Sequence, residues 1–267
     1  MNHSCALITG ASSGLGEEFA RQLARSSAAL VLVARRQEKL EEIAAELETS
    51  FPTLTVHVRT VDLSDEAERL ALVSSLEEDG LLPDLLVNNA GLGDYGSFVA
   101  ADWEKTQTMM EVNMQALTHL CHAFLPHMIL RGTGAIINVS SLASTLPIPD
   151  FTVYAATKAY VTSFSEALRL ELRDAAIPVL AVCPGPVHTE FGSVAKREGE
   201  SSDFGPRELI YVDKKKVVST ALSALARDKA RVYPGLLVAA AAVGISLLPM
   251  CAIRLVMGRR PRRVLPE

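Results

Sequence analysis

Thr9-Gly10-Ala11-Ser12-Ser13-Gly14-Leu15-Gly16 is the stretch on which the reading of this chain turns. Before it runs an apolar segment, residues 5–9, that reads as a strand. After it comes an amphipathic segment, residues 17–25, that reads as a helix. At such a junction the backbone N–H groups and the positive end of the helix face outward together, and the absence of Cβ atoms lets an anion approach closely. A turn with no ligand needs fewer glycines.

Working outward, short apolar runs alternate with longer helical ones. Residues 30–34 form a β-branched run, and residues 38–47 carry Leu40, Ile43, Ala44 and Leu47 at helical spacing. Residues 54–61 read as a strand, 66–76 as a helix, 85–88 as a strand, 103–131 as one long helical region and 135–139 as a strand. Residues 154–175 read as a helix and 179–183 as another buried strand. Helices alternating with fully apolar strands indicate βαβ units and a parallel sheet, and right-handed crossovers restrict it to a doubly wound, Rossmann-like α/β domain. With 267 residues, 49% of them hydrophobic, the chain can bury one such core. Residues 1–235 are expected to form this single domain. Residues 190–212, polar and without a clear period, read as a lid within it. Residues 236–267 form a tail that is first apolar and then basic.

The net charge of −5 argues against a nucleic-acid partner. Cys5, Cys121, Cys183 and Cys251 are scattered, with no CxxC pair, and are expected to be reduced. The first residues run straight into a strand, so a cytoplasmic placement without a signal peptide is the expectation. His119, His122 and His127 lie along one predicted helix without a metal-spaced cluster, and no metal is expected.

The end of the second strand reads Val33-Ala34-Arg35-Arg36, with no carboxylate before Glu38. An acidic residue there would suit the 2′-hydroxyl of NAD, whereas arginine suits the 2′-phosphate of NADP(H). The plainer alternative is that both arginines only solvate the start of a helix.

Further along stand Asn88-Asn89-Ala90-Gly91, Asn113, Ser141 and Tyr154-Ala155-Ala156-Thr157-Lys158. With the glycine loop, these resemble the short-chain dehydrogenase/reductase family in its single-domain form, over residues 6–189. The resemblance implies about seven strands and a bound NADP(H). That cofactor would be held by Gly10, Ser12, Ser13, Gly14, Leu15, Gly16, Arg35 and Arg36, by Asp62, Leu63 and Val112 around the adenine, and by Asn89, Ala90 and Gly91 beneath the ribose. Tyr154, Lys158, Pro184, Gly185, Val187 and Thr189 would line the nicotinamide end. Some NADP-using members carry a basic residue where this chain has Ser13, which leaves the preference to Arg35.

The implied chemistry is carbonyl–hydroxyl interconversion at a catalytic set of Asn113, Ser141, Tyr154 and Lys158. Tyr154 and Lys158, four apart on a helix, share one face. A lysine ammonium and the positive nicotinamide should lower the phenol below its ordinary value near ~10. Ser141, whose distance to Tyr154 matches the family pattern where that of Ser140 does not, would be a second donor to the substrate oxygen. Asn113 would link Lys158 to solvent. A YxxxK pair alone is more often surface decoration, and a protein that holds NADP(H) without turnover is the alternative. An epimerase or dehydratase of the same fold is a third reading.

Leu92, Tyr95, Leu142, Pro147 and Phe151 suggest an apolar mouth, hence a steroid-, lipid- or aromatic-like substrate. His188 reads as loop solvation sooner than as a nicotinamide neighbour. The helix after Tyr154 resembles the family's subunit-contact helix, so a homodimer or homotetramer is expected. The run 236–253 is borderline for a membrane span. It is ranked first as a buried or subunit-contacting element, then as a peripheral membrane contact, and last as a spanning helix.

Overall fold

The computed structural model describes residues 2–197 and 211–258. Seven strands form one parallel sheet: β1 (His3–Thr9), β2 (Ser27–Ala34), β3 (Thr55–Thr60), β4 (Leu85–Asn88), β5 (Ala135–Val139), β6 (Val179–Val182) and β7 (Arg231–Val232). Their spatial order is β3-β2-β1-β4-β5-β6-β7. The chain builds outward from β1 in one direction and from β4 in the other. The sheet therefore reverses between β1 and β4, where a doubly wound fold leaves a crevice at the carboxyl ends of its strands.

Alternation along β1 explains the two cores. Ala6 and Ile8 face the side covered by α1 (Gly14–Leu23), α2 (Gln37–Ser50) and α8 (Lys214–Ala226). Cys5 and Leu7 face the side covered by α3 (Glu66–Glu78), α5 (Leu117–Arg131) and α6 (Thr152–Glu171). Helix starts are fixed locally. The Asp65 carboxylate accepts from the Glu68 N–H at the start of α3, and Asp213 accepts from the Lys215 and Lys216 N–H groups at the start of α8. Gly132 ends α5 in the left-handed region.

The expected long helix over 103–131 is three pieces. α4 (Trp103–Met110) passes into a π-helical turn, Glu111–Ala116, and then into α5. The widened turn carries Asn113, whose amide is tied across to Leu92. The helix expected over 154–175 stops at Glu171, with a 3-10 turn at Arg173–Ala175. Within the segment expected to be a lid, α7 (Phe191–Ala195) is helical and Val187 pairs with Val212, while residues 198–210 lie outside the described residues. The tail is α9 (Leu236–Leu247) and α10 (Met250–Gly258), and α9 joins the sheet's core through Val238. Within this chain the tail is buried only along Val238, Ala242 and Ile253, while Leu236 is 89% exposed and Leu247 78%. Among the described residues no single helix is long and apolar enough to cross a membrane.

Candidate active site

One cavity of about 1200 Å³ opens along the carboxyl edge of the sheet, from the ends of β2 and β3 to the start of α6. Ser12–Leu15 floor it at the start of α1. The helix has no side-chain N-cap bond, which leaves its first N–H groups facing the cavity. Gly10 sits at φ 65°, where a side chain would strain the turn and a Cβ would lie 2.9 Å from the Ala90 Cα. A Cβ on Gly16 would collide with the Gly10 carbonyl. These two glycines let the loop fold flat against the end of β4. This cradle, with its open N–H groups and positive helix end, fits a dinucleotide pyrophosphate.

The structure brings Gly10, Ser12, Ser13, Gly14, Leu15, Arg35, Arg36, Asp62, Leu63, Asn89, Ala90, Gly91 and Val112 to the cavity wall. It does the same with Ser141, Tyr154, Lys158, Pro184, Gly185, Val187 and Thr189. Gly16 and Asn113 do not reach that wall: Gly16 packs behind the loop, and Asn113 stands behind Gly91. Arg36 donates from Nε to the Ser12 hydroxyl (3.2 Å) and from Nη1 to Glu190 (3.0 Å). Arg35 stands 3.8 Å from Asp62. Burial acts to raise the Asp62 carboxyl, but hydrogen bonds from Ser64 and the charge of Arg35 hold it below the usual range. Two arginines and two carboxylates thus share this end of the cavity.

At the inner end, Tyr154 is buried in aromatic rings. Phe151 stacks on it at 4.2 Å, Phe191 lies tilted at 5.3 Å, and Tyr95 meets Phe151 edge-on. The Ser141 hydroxyl accepts from the Ala143 N–H and hydrogen-bonds toward the phenol. Ser140 is turned away, with its hydroxyl bonded to the Lys158 carbonyl and to Thr162. Lys158 donates from Nζ to the Val139 carbonyl at 2.8 Å and sits 5.8 Å from the Tyr154 ring centroid. Burial pushes the phenol up to about 12 and draws the ammonium down to about 8. The lowered tyrosine expected from the sequence is therefore not a property of the protein frame. Desolvation outweighs a lysine whose ammonium points to a backbone carbonyl.

Asn113 accepts from the Leu92 N–H (2.8 Å) and donates to the Leu92 carbonyl (2.9 Å) and to Thr157 (3.0 Å). Its Oδ1 and the Lys158 Nζ both stand 3.3 Å from the point where a Gly91 side chain would begin. Three supporting residues were not singled out in the sequence. Thr9 accepts through its hydroxyl from the Asn89 and Ala90 N–H groups, and so ties the glycine loop to the end of β4. Thr157 couples Asn113 to the Tyr154 carbonyl, and Phe191 closes the aromatic cluster. Thr157 and Thr9 had a sequence cue, one within the Tyr–Lys segment and the other at the head of the glycine loop. The mouth holds Leu92, Tyr95, Leu142 and Phe151 as expected, with Leu146 and Ile148 on the wall in place of Pro147, which is exposed. His188 stacks on Tyr211 instead of facing the cavity.

A parallel sheet reversing beside a glycine cradle, with a tyrosine and a lysine one helical turn apart at the cavity's inner end, defines a Rossmann-type oxidoreductase. The chain belongs to the short-chain dehydrogenase/reductase family, and the short chain dehydrogenase model matches residues 4–199. It is 38% identical over 190 residues to "Sulfoacetaldehyde reductase 2" of Chromohalobacter salexigens, spanning 69% of this chain and 73% of that protein. Its fold superposes with a TM-score of 0.81 on a short-chain dehydrogenase from Sphingobium yanoikuyae in complex with NADPH, 32% identical, over 99% of this chain and 98% of that one. The bulky-bulky ketone specific alcohol dehydrogenase from Comamonas testosteroni superposes at 0.78, is 29% identical, and is covered over 98% of its length by the whole of this chain.

Proposed function

We propose that this protein is an NADP(H)-dependent reductase of bulky, apolar ketones or aldehydes, cytoplasmic in its placement. The observation that carries this reading is one continuous cavity. Arg35 and Arg36 stand at its adenosine end, and a buried Tyr154 beside Ser141 and Lys158 stands at its inner end. Its volume exceeds a typical single-ligand pocket, as it must to admit a dinucleotide and a substrate together.

The chemistry supplied by the bound nicotinamide is a hydride for the carbonyl carbon. Tyr154 holds the proton that the developing alkoxide needs, and a phenol raised to about 12 keeps it through neutral pH. Ser141 is the second donor to that oxygen. Lys158, drawn down to about 8, changes protonation close to neutrality and supports return of the proton. Asn113 fixes the Leu92 backbone against Thr157, and so holds the wall on which the substrate lies. Protonated at rest, the site favours reduction. The stacked rings around Tyr154 fix its direction, and a protein that merely senses NADP(H) has no need for that arrangement.

The substrate end is lined by Leu92, Leu142, Leu146, Ile148, Phe151 and Phe191. Among the described residues the cations on the cavity wall are Arg35, Arg36 and Lys158, and the arginines lie at the opposite end. Among the described residues a sulfonate such as the one in the Chromohalobacter relative's name would find no arginine at this end, and Lys158 is already bonded to the Val139 carbonyl, whereas a bulky ketone fits. NADPH consumption with a panel of bulky aryl, steroid and fatty-chain ketones, set against sulfoacetaldehyde, tests the assignment. Preference for the apolar set supports it, and faster sulfoacetaldehyde turnover would overturn the substrate class. The outer face of α6, where Tyr160 stacks on Phe164 and bonds to Thr118, is the surface we assign to a homodimer or homotetramer. A monomeric mass in solution would contradict that part.

A further inference from the structure

We propose that α9 and α10 seat this protein on an anionic phospholipid surface, a role separate from the catalytic reading. α9 is twelve uncharged residues with only Val238 and Ala242 buried, while Leu236, Leu237, Val243 and Leu247 are exposed. Leu248, Met250, Leu255 and Val256 continue the exposed apolar surface through the bend and along α10. A helix apolar on all sides belongs in a core or in lipid, and a contiguous apolar surface marks a partner. At 1.5 Å per residue, α9 rises about 18 Å, well short of a hydrocarbon core of about 30 Å. The two helices meet at 114°, which suits a shallow wedge in the headgroup boundary and not a crossing.

Charge selects the occupant. From Arg254 onward the sequence holds Arg254, Arg259, Arg260, Arg262 and Arg263 against the single acid Glu267, in a chain whose net charge is −5. Such a basic run following an apolar tail suits an anionic partner. Lipid phosphates neutralise it, and each basic residue adds to the attraction. α9 also packs against the Leu142–Thr145 turn, which bears one wall of the substrate pocket. The wedge therefore sets the pocket's mouth beside the bilayer, and an apolar substrate can enter from lipid. This last step alone rests on the proposed catalytic function.

The full-length protein is sedimented with phosphatidylcholine vesicles, with and without about a third phosphatidylglycerol. Binding is expected on the anionic vesicles, weak on the neutral ones, and reduced by salt. Leu247→Glu with Leu248→Glu should abolish it, and Arg259→Glu with Arg260→Glu should weaken it roughly tenfold or more. Both variants should keep the wild-type melting temperature and NADPH affinity, so a failure of docking is distinguishable from a failure of the catalytic reading. No sedimentation, or sedimentation that neither variant reduces, would overturn the proposal. A concentration-dependent dimer that Leu247→Glu with Leu248→Glu dissolves, without vesicle binding, would assign the face to a second copy and equally overturn it.

Discussion

Tyr154 and Lys158 are pushed by burial in opposite directions, the phenol up to about 12 and the ammonium down to about 8. The lysine's folded pKa lies below its unfolded value of about 10.5, so the unfolded chain binds more protons between the two. Its burial therefore costs stability in full below pH 8, and that cost fades as the pH rises toward 10.5. Lys158→Met should lose turnover yet be at least as stable as wild type at pH 7, with an advantage that shrinks between pH 8 and 10. Paired urea titrations across that range check it, and a constant difference would contradict the buried-ammonium account. Arg35→Asp should weaken NADPH by tenfold or more, roughly the worth of a charge-assisted contact, and NADH far less. Equal weakening of both would remove Arg35 from the 2′-phosphate. The residues of the Tyr–Lys segment and the glycine loop were legible because their chemistry depends on local spacing. The roles of Thr9 and Phe191 were not, since each acts through partners far away in the chain.

At the scale of elements, the mouth of the cavity is held by ion pairs to the buried carboxylate of Asp94. Asp94 accepts from Arg197 (3.0 Å at Nε) and lies 3.1 Å from the Lys105 Nζ, and Arg197 also donates to the Ser97 and Ala100 carbonyls. Burial acts to raise the Asp94 carboxyl, but hydrogen bonds from Arg197 and Lys105 hold it below the usual range. Tyr95 adds a backbone bond to the Ala195 carbonyl. Together these strap the end of α7 to the loop beside the active site. Asp94→Asn should destabilise the fold by about 1.5 kcal/mol, the worth of a hydrogen bond to a charged group, because only the carboxylate is buried and Arg197 and Lys105 keep solvent contact. It should also raise KM for a bulky ketone more than it lowers kcat, because the strap shapes the mouth and does not touch the reacting atoms. Steady-state kinetics and chemical denaturation check both parts. Apart from β3, which alternates, and β7, the strands were readable as continuous apolar runs. The π turn at Asn113 was not, because periodicity alone cannot tell one widened turn from a straight helix. α8 opens on Lys214-Lys215-Lys216 after a polar stretch, which hid the apolar positions Val217, Val218 and Ala221 behind it. β7, two residues long, offered no pattern at all.

For the whole molecule, sheet order and cavity form one argument. The chain reverses between β1 and β4, every strand end but β7's contributes to a single wall, and the glycine loop and Tyr154 share one space. NADPH at about a hundred times its Kd should stabilise the protein by about 2.7 kcal/mol and raise its Tm by about 5 °C, with NADH at the same concentration giving less. Calorimetry with each cofactor decides this. The tail was legible as apolar and basic, but only the structure shows that most of that surface is uncovered. The most direct test of the central claim compares NADPH oxidation by wild type and Tyr154→Phe on the best bulky ketone, with NADPH affinity measured in parallel. A loss in kcat of about a thousandfold with affinity unchanged is expected. Turnover that survives in the variant would contradict that claim.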